Sequence, residues 1–180
     1  MQLAEALLEH FQDIEGGGFF FTAHDHESLI QRPKSMHDDA VPNGNGVAAL
    51  SLVRLGHLLG ENRYLDAAEC TLRAAWPEMQ RAPSACCSLL SALHEWLYPG
   101  AQLVLTGTPE AVEKWRKSLP KRGISVYAPG RDNQHLPGIL TEYKILGTVT
   151  AYLCRGRQCS PPVTELDVLT NMLETDTNNA

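Results

Sequence analysis

The chain has 180 residues, 43% of them hydrophobic, and carries a formal net charge of −6. Such an acidic chain lacks the basic face with which proteins neutralise nucleic-acid phosphates, so we expect no nucleic-acid partner. No apolar run approaches the roughly 20 residues that cross a bilayer, and acids stand where a leader would be basic, so we expect no membrane contact and no secretory signal. The odd count of five cysteines without such a signal suggests a reducing cytoplasm and mostly free thiols.

The first 99 residues are predicted to form helical hairpins. An amphipathic helix begins the chain, and a second helix follows the turn at residues 42–46 and ends at Gly60. Asn62 is expected to cap a third helix that ends near Pro77, and Pro83 is expected to start a fourth. The inward stripes of the last three helices are predicted to be Ala48, Leu52, Leu55 and Leu59; Leu65, Ala68, Leu72 and Ala75; and Cys86, Leu90, Leu93, Trp96 and Leu97.

Near residue 100 the pattern changes to that of a small α/β appendage. Strands are predicted at residues 102–106, 124–128 and 148–154, and a helix after Thr108 makes the first two parallel. An irregular loop is expected at 129–147, and Thr164 caps a last helix. The predicted fold class is therefore mainly α, with helical hairpins at 1–99, a three-stranded β-α-β unit at 100–174 and a disordered tail at 175–180.

Three blocks of the sequence resemble a known family: GGFFFTA…LIQRPKSMHDDAVPNGNGVAAL, GENRYLDAAECTLRA and TAYLCRGRQCSPPVT. They are similar to the C-terminal part of the YyaL-like thioredoxin-domain-containing family, which includes spermatogenesis-associated protein 20. The resemblance implies a long protein with an N-terminal thioredoxin-like domain. It also implies an (α/α)6 barrel similar to N-acylglucosamine 2-epimerases and six-hairpin glycosidases.

By this resemblance the chain is a C-terminal fragment, or a split or truncated homologue, and its hairpins are the last sector of a partial (α/α)6 barrel. Two positions depart from the family pattern. Phe21 stands where the family tends to have Asp, and Asn43 stands where it tends to have Ser. The first change removes a carboxylate from a loop that faces the barrel mouth in such folds, and we assign no catalytic residue.

The loop at residues 32–45 is the first candidate site. Its polar side chains precede a helix N-terminus, where unpaired N–H groups and the helix dipole favour polar or anionic ligands. One hypothesis is a cleft for a polar, sugar-like small molecule. The alternative is that the same residues only cap the turn and the helix. The candidate ligand-binding residues are Arg32, Lys34, His37, Asp38, Asn43 and Asn45.

The pair Cys154 and Cys159 is the second candidate site. Gly156 permits a tight turn between them, and the neighbouring arginines favour the thiolate form. One hypothesis is a reversible disulfide, and the alternative is two unpaired thiols at a strand end. The other cysteines, expected to behave as small buried hydrophobic residues, are Cys70, Cys86 and Cys87.

The histidines in the first loop, between the first and second predicted helices, could be ligands for zinc. Residues 24–26 read His-Asp-His, with His37 further on. Along an extended segment Asp25 faces away from both neighbouring histidines, so we expect exposed loop histidines, no metal site and no cofactor. The helical carboxylates are expected on solvated faces, although paired carboxylates can also run glycoside hydrolysis. They are Glu61, Asp66, Glu69, Glu78 and Glu95.

The sequence therefore favours a non-catalytic piece that completes an α/α barrel. Its partner would be the N-terminal portion of the same protein or a second copy of the chain. Two alternatives stay open. One is a carbohydrate-active barrel, epimerase-like or hydrolase-like, with its polar cleft at residues 32–45. The other is a thiol redox protein that uses Cys154 and Cys159.

Overall fold

A computed structural model describes residues 1–27, 31–120, 123–129 and 136–177. The chain is a mixed α/β protein, mostly helical, and it divides into two units. The first unit comprises Met1–His57 and Glu61–Pro99, and the second comprises Leu58–Gly60 and Gly100–Ala180. Within the described ranges, no helix combines the length and the hydropathy needed to cross a bilayer.

Four α-helices carry the first unit, and the second of them runs on to Leu59. The predicted inward stripes of the second and third helices are confirmed, because nearly all of their members are buried. Gly60 ends the second helix with a φ of +70°, the left-handed conformation expected there. The helices are α1 (Gln2–Phe11), α2 (Gly44–Leu59), α3 (Asn62–Arg81) and α4 (Cys87–Leu97).

Both predicted boundaries of α3 are wrong. Glu61 occupies the N-cap position, and Asn62 is the first helical residue. Pro77 lies inside the helix, which continues to Arg81. The proline removes one backbone donor, but the following turn stays in place because Met79 is buried in the core.

The predicted inward face of α4 is also wrong, and Pro83 starts a separate 3-10 turn, Pro83–Ala85, ahead of the helix. Leu89 and Ala92 are buried within α4, with Cys86 just before it. Of the predicted stripe, Cys86 is thus buried as expected, but the rest stays at the surface: Leu90, Leu93 and Trp96 are half-buried, and Leu97 is exposed. A row of large apolar side chains is therefore left facing outward.

The second unit is built on a four-stranded sheet with the strand order β2-β1-β3-β4. The predicted parallel pairing of the first two strands is confirmed, with Ala101 opposite Ile124. The central strand β1 is buried along its whole length and pairs antiparallel with β3. The elements are β1 (Ala101–Gly107), α5 (Pro109–Ser118), β2 (Ile124–Tyr127), β3 (Val149–Arg155), β4 (Gln158–Cys159) and α6 (Leu166–Thr177).

Three predictions for this unit need correction. The sheet has four strands and not three, because the chain turns back after β3 and pairs Gln158–Cys159 with it. The loop expected at 129–147 contains a 3-10 turn at Gly138–Glu142, and residues 130–135 lie outside the described part. Residues 175–177, expected in the tail, belong to α6, and residues 178–180 lie outside the description.

The first turn of α2 lies against the start of α4 at Gly46. A Cβ added to Gly46 would lie 2.8 Å from the backbone carbonyl carbon of Ser88. A Cβ added to Gly44, in the same helical turn, would meet nothing within 4 Å. The close approach therefore requires glycine at position 46 but not at position 44.

We expect Gly46→Ala to lower the free energy of unfolding by about 1–3 kcal/mol, because the backbone of Ser88 must move. Gly44→Ala is the matched control, and it should be neutral or stabilising by up to about 1 kcal/mol through helix propensity. Urea unfolding followed by circular dichroism measures both. Equal effects of the two substitutions would contradict the close approach.

Candidate functional site

The carboxylate of Asp38 joins the N-terminal ends of α2 and α4. Its Oδ1 accepts hydrogen bonds from the backbone N–H of Asn43 at 2.8 Å, from Asn43 Nδ2 at 3.0 Å and from the Ser88 hydroxyl. Its Oδ2 accepts a hydrogen bond from the Ser88 backbone N–H at 2.9 Å. Ser88 is the second residue of α4, so Asp38 caps that helix from a distant part of the chain.

The ionised state of Asp38 is fixed by these donors. Burial alone raises its pKa, but the hydrogen bonds from Ser88 and Asn43 outweigh burial and lower the pKa from 3.8 to about 2. A carboxylate with so low a pKa and four donors is a poor general base. The group is therefore suited to holding backbone rather than to moving a proton.

Asn43 and Asn45 complete this arrangement, and both side chains are buried. Asn43 Oδ1 accepts a hydrogen bond from Gly46 N at 2.9 Å and so caps α2, while its Nδ2 donates to Ser88 Oγ at 2.8 Å. Asn45 Oδ1 accepts from Phe19 N at 2.7 Å, and its Nδ2 donates to the carbonyls of Phe19 and Ser35, each at 3.0 Å. We call Asp38, Asn43, Asn45 and Ser88 the polar clasp.

The glycines at the start of the first loop make room for the polar clasp. Gly18 has a φ of +81°, and a Cβ there would lie 2.9 Å from Asn45 Oδ1. Both facts favour glycine at this position. The turn at Gly16, Gly17 and Gly18 therefore places the Phe19 backbone within hydrogen-bond distance of the Asn45 amide.

Arg32 and Lys34 also have partners within the protein. Lys34 Nζ donates to Asp13 Oδ2 at 2.6 Å and to the Gly17 carbonyl at 2.7 Å. The Lys34 ammonium, with the Gly16 N–H, lowers the pKa of Asp13. Arg32 Nη2 donates to the Thr22 carbonyl at 2.7 Å, and its guanidinium carbon lies 4.1 Å from the centre of the Phe20 ring.

The His37 side chain contacts the last turns of α3, away from the partners of the other candidates. Its Nε2 lies 2.8 Å from Glu78 Oε2. The pKa of Glu78 is lowered mainly by the hydrogen bond from Arg81 and, to a smaller extent, by the one from His37. The structure thus distributes the six candidate residues over three places: Arg32 and Lys34 around Phe20, His37 at Glu78, and Asp38, Asn43 and Asn45 in the polar clasp.

A surface depression lies beside the polar clasp, and part of the segment 32–45 lines it. Of the six candidate residues, Asp38 alone is part of its lining. Phe21, the family departure, is 81% exposed. The depression is lined by Asp38, Asp39, Ala40, Val41, Pro42, Ser84, Cys87, Ser88 and Ser91.

The sequence missed two features of this site. Ser88 was not singled out, although a serine at the start of a helix is a recognisable sign of capping. Cys70 and Cys87, expected to be buried, are exposed, while Cys86 is buried as predicted. Burial raises the pKa of the Cys86 thiol, and the nearby Asp38 carboxylate adds to this effect.

In the second unit, Cys154 and Cys159 are joined by a disulfide across the β3–β4 pair. Cys154 is buried, whereas Cys159 is exposed. The Tyr143 hydroxyl lies 3.5 Å from Cys154 Sγ and 3.8 Å from Cys159 Sγ. Burial raises the pKa of Tyr143, and the Tyr152 ring stacked on it at 4.2 Å adds to this effect, so the hydroxyl stays protonated beside the sulfurs.

We expect Asp38→Asn to lower the free energy of unfolding at pH 7 by on the order of 1 kcal/mol, allowing for solvent screening. The pKa of Asp38 is depressed in the folded state, so its stabilisation is complete above about pH 4 and is lost as the pH falls through about 2. The variant should therefore lose less stability than the parent over that range. Asp39→Asn is the control, and denaturant unfolding at several pH values decides. If Asp38→Asn and Asp39→Asn lowered the free energy of unfolding equally at pH 7, the capping role of Asp38 would be contradicted.

No protein-family model matches the chain. Among curated proteins, the chain is similar to spermatogenesis-associated protein 20 of Homo sapiens and of Rattus norvegicus, with 31% and 30% identity over 168 residues. An uncharacterized protein of Caenorhabditis elegans is 26% identical over 161 residues. These matches cover 86% of this chain and 21–22% of the relatives, so the chain spans about a fifth of their length. The chain belongs to the spermatogenesis-associated protein 20-like family, whose function is poorly defined.

Proposed function

We propose that this chain is an assembly module whose helical hairpins complete a larger α/α barrel, and that it is non-catalytic alone. The observation that supports this proposal is the outward row of large apolar side chains on α4. Large apolar patches on soluble proteins commonly mark sites of association. The proposal assigns this face to contact with further helices.

The outward row forms an apolar groove with α3. Trp76 is 48% exposed and Leu97 is 58% exposed. The groove, which we call the α3–α4 groove, is lined by Leu72, Trp76, Leu93, Trp96 and Leu97, together with Glu69 and Arg73. The two charged residues pair with each other at 2.7 Å, and the other five lining residues are apolar.

The geometry of the α3–α4 groove suits a helix as its occupant. Leu90, Leu93 and Leu97 lie three and four positions apart, so they form a ridge on one side of α4. Ridges of this kind pack into the grooves of a neighbouring helix. Since the curated relatives are about five times longer than the matched segment, we propose that their remaining helical hairpins supply the partner, with a second copy of this chain as a substitute.

The non-catalytic part of the proposal rests on the engagement of the candidate residues. Each of the six has a hydrogen-bond or ion-pair partner within the protein. In the depression beside the polar clasp, Asp38 already accepts four hydrogen bonds from Asn43 and Ser88. The carbohydrate-active alternative therefore stays a prediction that no contact in the described residues favours.

The assembly proposal predicts that the isolated chain self-associates through the α3–α4 groove. The double substitution Trp76→Glu and Leu97→Glu places two charges in the groove and should raise the self-dissociation constant at least tenfold, or about 1.4 kcal/mol. Ile14→Glu is the control, because Ile14 is equally apolar, 87% exposed and outside the groove. Sedimentation velocity over a concentration series measures all three proteins. A parent chain that stays monomeric, or a double variant that associates like the parent, would refute the proposal.

Thiol–disulfide exchange is the second candidate function, and the observation that favours it is the exposed side of the Cys154–Cys159 disulfide. We propose that a thiolate of a dithiol protein attacks Cys159 Sγ, forms a mixed disulfide and expels Cys154 as a thiolate, which then takes up a proton. The Tyr143 hydroxyl is placed to donate a hydrogen bond to that thiolate. The partner's second thiol then closes its own disulfide and releases Cys159 as a thiol, so two electrons and two protons pass to the chain.

Mass spectrometry after alkylation tests the exchange proposal. Of the five cysteines, three carry unbonded thiols, so the denatured chain should take three labels without reductant and five after reduction. In glutathione buffers the disulfide should be half reduced within the cytosolic range, about −220 to −320 mV. Five labels without reductant, or a bond that stays oxidised throughout that range, would rule out the exchange.

A further inference from the structure

We propose that His10, His24 and Asp25 form a binding site for a divalent transition-metal ion of the zinc class. One nitrogen from each imidazole and one carboxylate oxygen of Asp25 all lie within 4.8 Å of one another. His10 lies in the last turn of α1, and the other two residues lie in the first loop. The site is separate from the polar clasp and from the α3–α4 groove.

Backbone hydrogen bonds hold the two histidines in register. His24 N donates to the His10 carbonyl at 2.8 Å, and Phe20 N donates to the Phe11 carbonyl at 2.8 Å. The two imidazoles are stacked, with ring centres 5.4 Å apart and an angle of 17° between their planes. The loop therefore returns to the end of α1 in a fixed position, which reduces the entropy that a ligand must overcome to gather the side chains.

The surroundings of the ring nitrogens favour metal ligation. His24 Nδ1 lies 3.3 Å from the His10 carbonyl, so a proton on Nδ1 leaves the lone pair on Nε2. His10 Nε2 lies 3.9 Å from Glu9 Oε2, whereas His10 Nδ1 is buried and has no hydrogen-bond partner among the described residues. Metal-binding imidazoles commonly hold one nitrogen against a protein oxygen and leave the other for the ion, and His24 is arranged in this way.

The donor set selects the class of ion. Two imidazole nitrogens and one carboxylate suit zinc, nickel, copper and cobalt, whereas magnesium and calcium prefer oxygen ligands throughout. Zinc lies about 2.0–2.2 Å from such ligands, so the donor atoms must draw closer together. They have the freedom to do so because His24 and Asp25 are exposed. Three protein ligands also leave a coordination position for water.

This site departs from what the sequence led us to expect. The pattern His24-Asp25-His26 supplied no third histidine nearby, and His37 lies instead beside Glu78. His10 supplies the missing ligand, because the glycine turn brings the loop back to α1. A bound ion would tie the end of α1 to the first loop and so stabilise the first unit by mass action.

Isothermal titration of the full chain with zinc chloride tests the site. The parent should bind one zinc ion per chain, and its thermal midpoint should rise with zinc but not with magnesium. His10→Gln and His24→Gln should each weaken zinc binding at least tenfold. His26→Gln is the matched control, because His26 is an exposed histidine two residues from His24 and outside the cluster, and it should bind like the parent.

The thiols are a rival source of zinc ligands, and cobalt distinguishes them. Cobalt bound by His10, His24 and Asp25 should show ligand-field absorption without a thiolate charge-transfer band. If His10→Gln does not fold, His24→Gln decides, because the His24 side chain is exposed. No zinc uptake, a thiolate band, or equal losses for His24→Gln and His26→Gln would overturn the proposal.

Discussion

The four hydrogen bonds that converge on the Asp38 carboxylate are the interaction on which the helical unit depends. A partly buried charge is costly unless donors surround it, and here Ser88 and Asn43 supply them. The residues between 31 and 43 form no helix or strand, so side chains must hold this segment against the helices. With Asn45 bound to Phe19, the polar clasp connects the glycine turn, the irregular segment and the starts of α2 and α4.

Local pattern explains why much of the fold could be predicted. The stripes of α2 and α3, the strand β1 and the start of α5 at Thr108 depend on spacing and capping within a few residues. The face of α4 could not be chosen in this way, because Leu89 and Ala92 are spaced like a helical stripe, as are Leu90, Leu93 and Leu97. Periodicity shows that a stripe exists, but tertiary packing decides which stripe is buried. The strand β4, only two residues long, has no period to detect.

The candidate site was harder to predict, for a similar reason. The sequence identified Asp38, Asn43 and Asn45 as members of one polar loop, but their partners Ser88 and Phe19 lie 26 to 50 residues away. His10 is likewise 14 residues from His24 and meets it only because of the intervening turn. Sequence reasoning therefore selects chemically capable residues, whereas the fold decides whether they face one another or the backbone.

The two units offer different chemistry at their surfaces. The helical unit presents an apolar groove suited to another helix, with its polar loop residues committed to structure. The sheet unit presents a disulfide that joins a buried and an exposed cysteine, beside a protonated tyrosine. We therefore propose association as the role of the helical unit and thiol exchange as the role of the sheet unit.

We propose that the α3–α4 groove receives helices from the larger family protein. Sedimentation velocity of this chain, titrated with the part of the human relative that lies outside the matched segment, tests it most directly. We expect a saturable one-to-one complex that replaces self-association and that requires Trp76 and Leu97. A parent chain that stays monomeric and forms no complex at any ratio would contradict it.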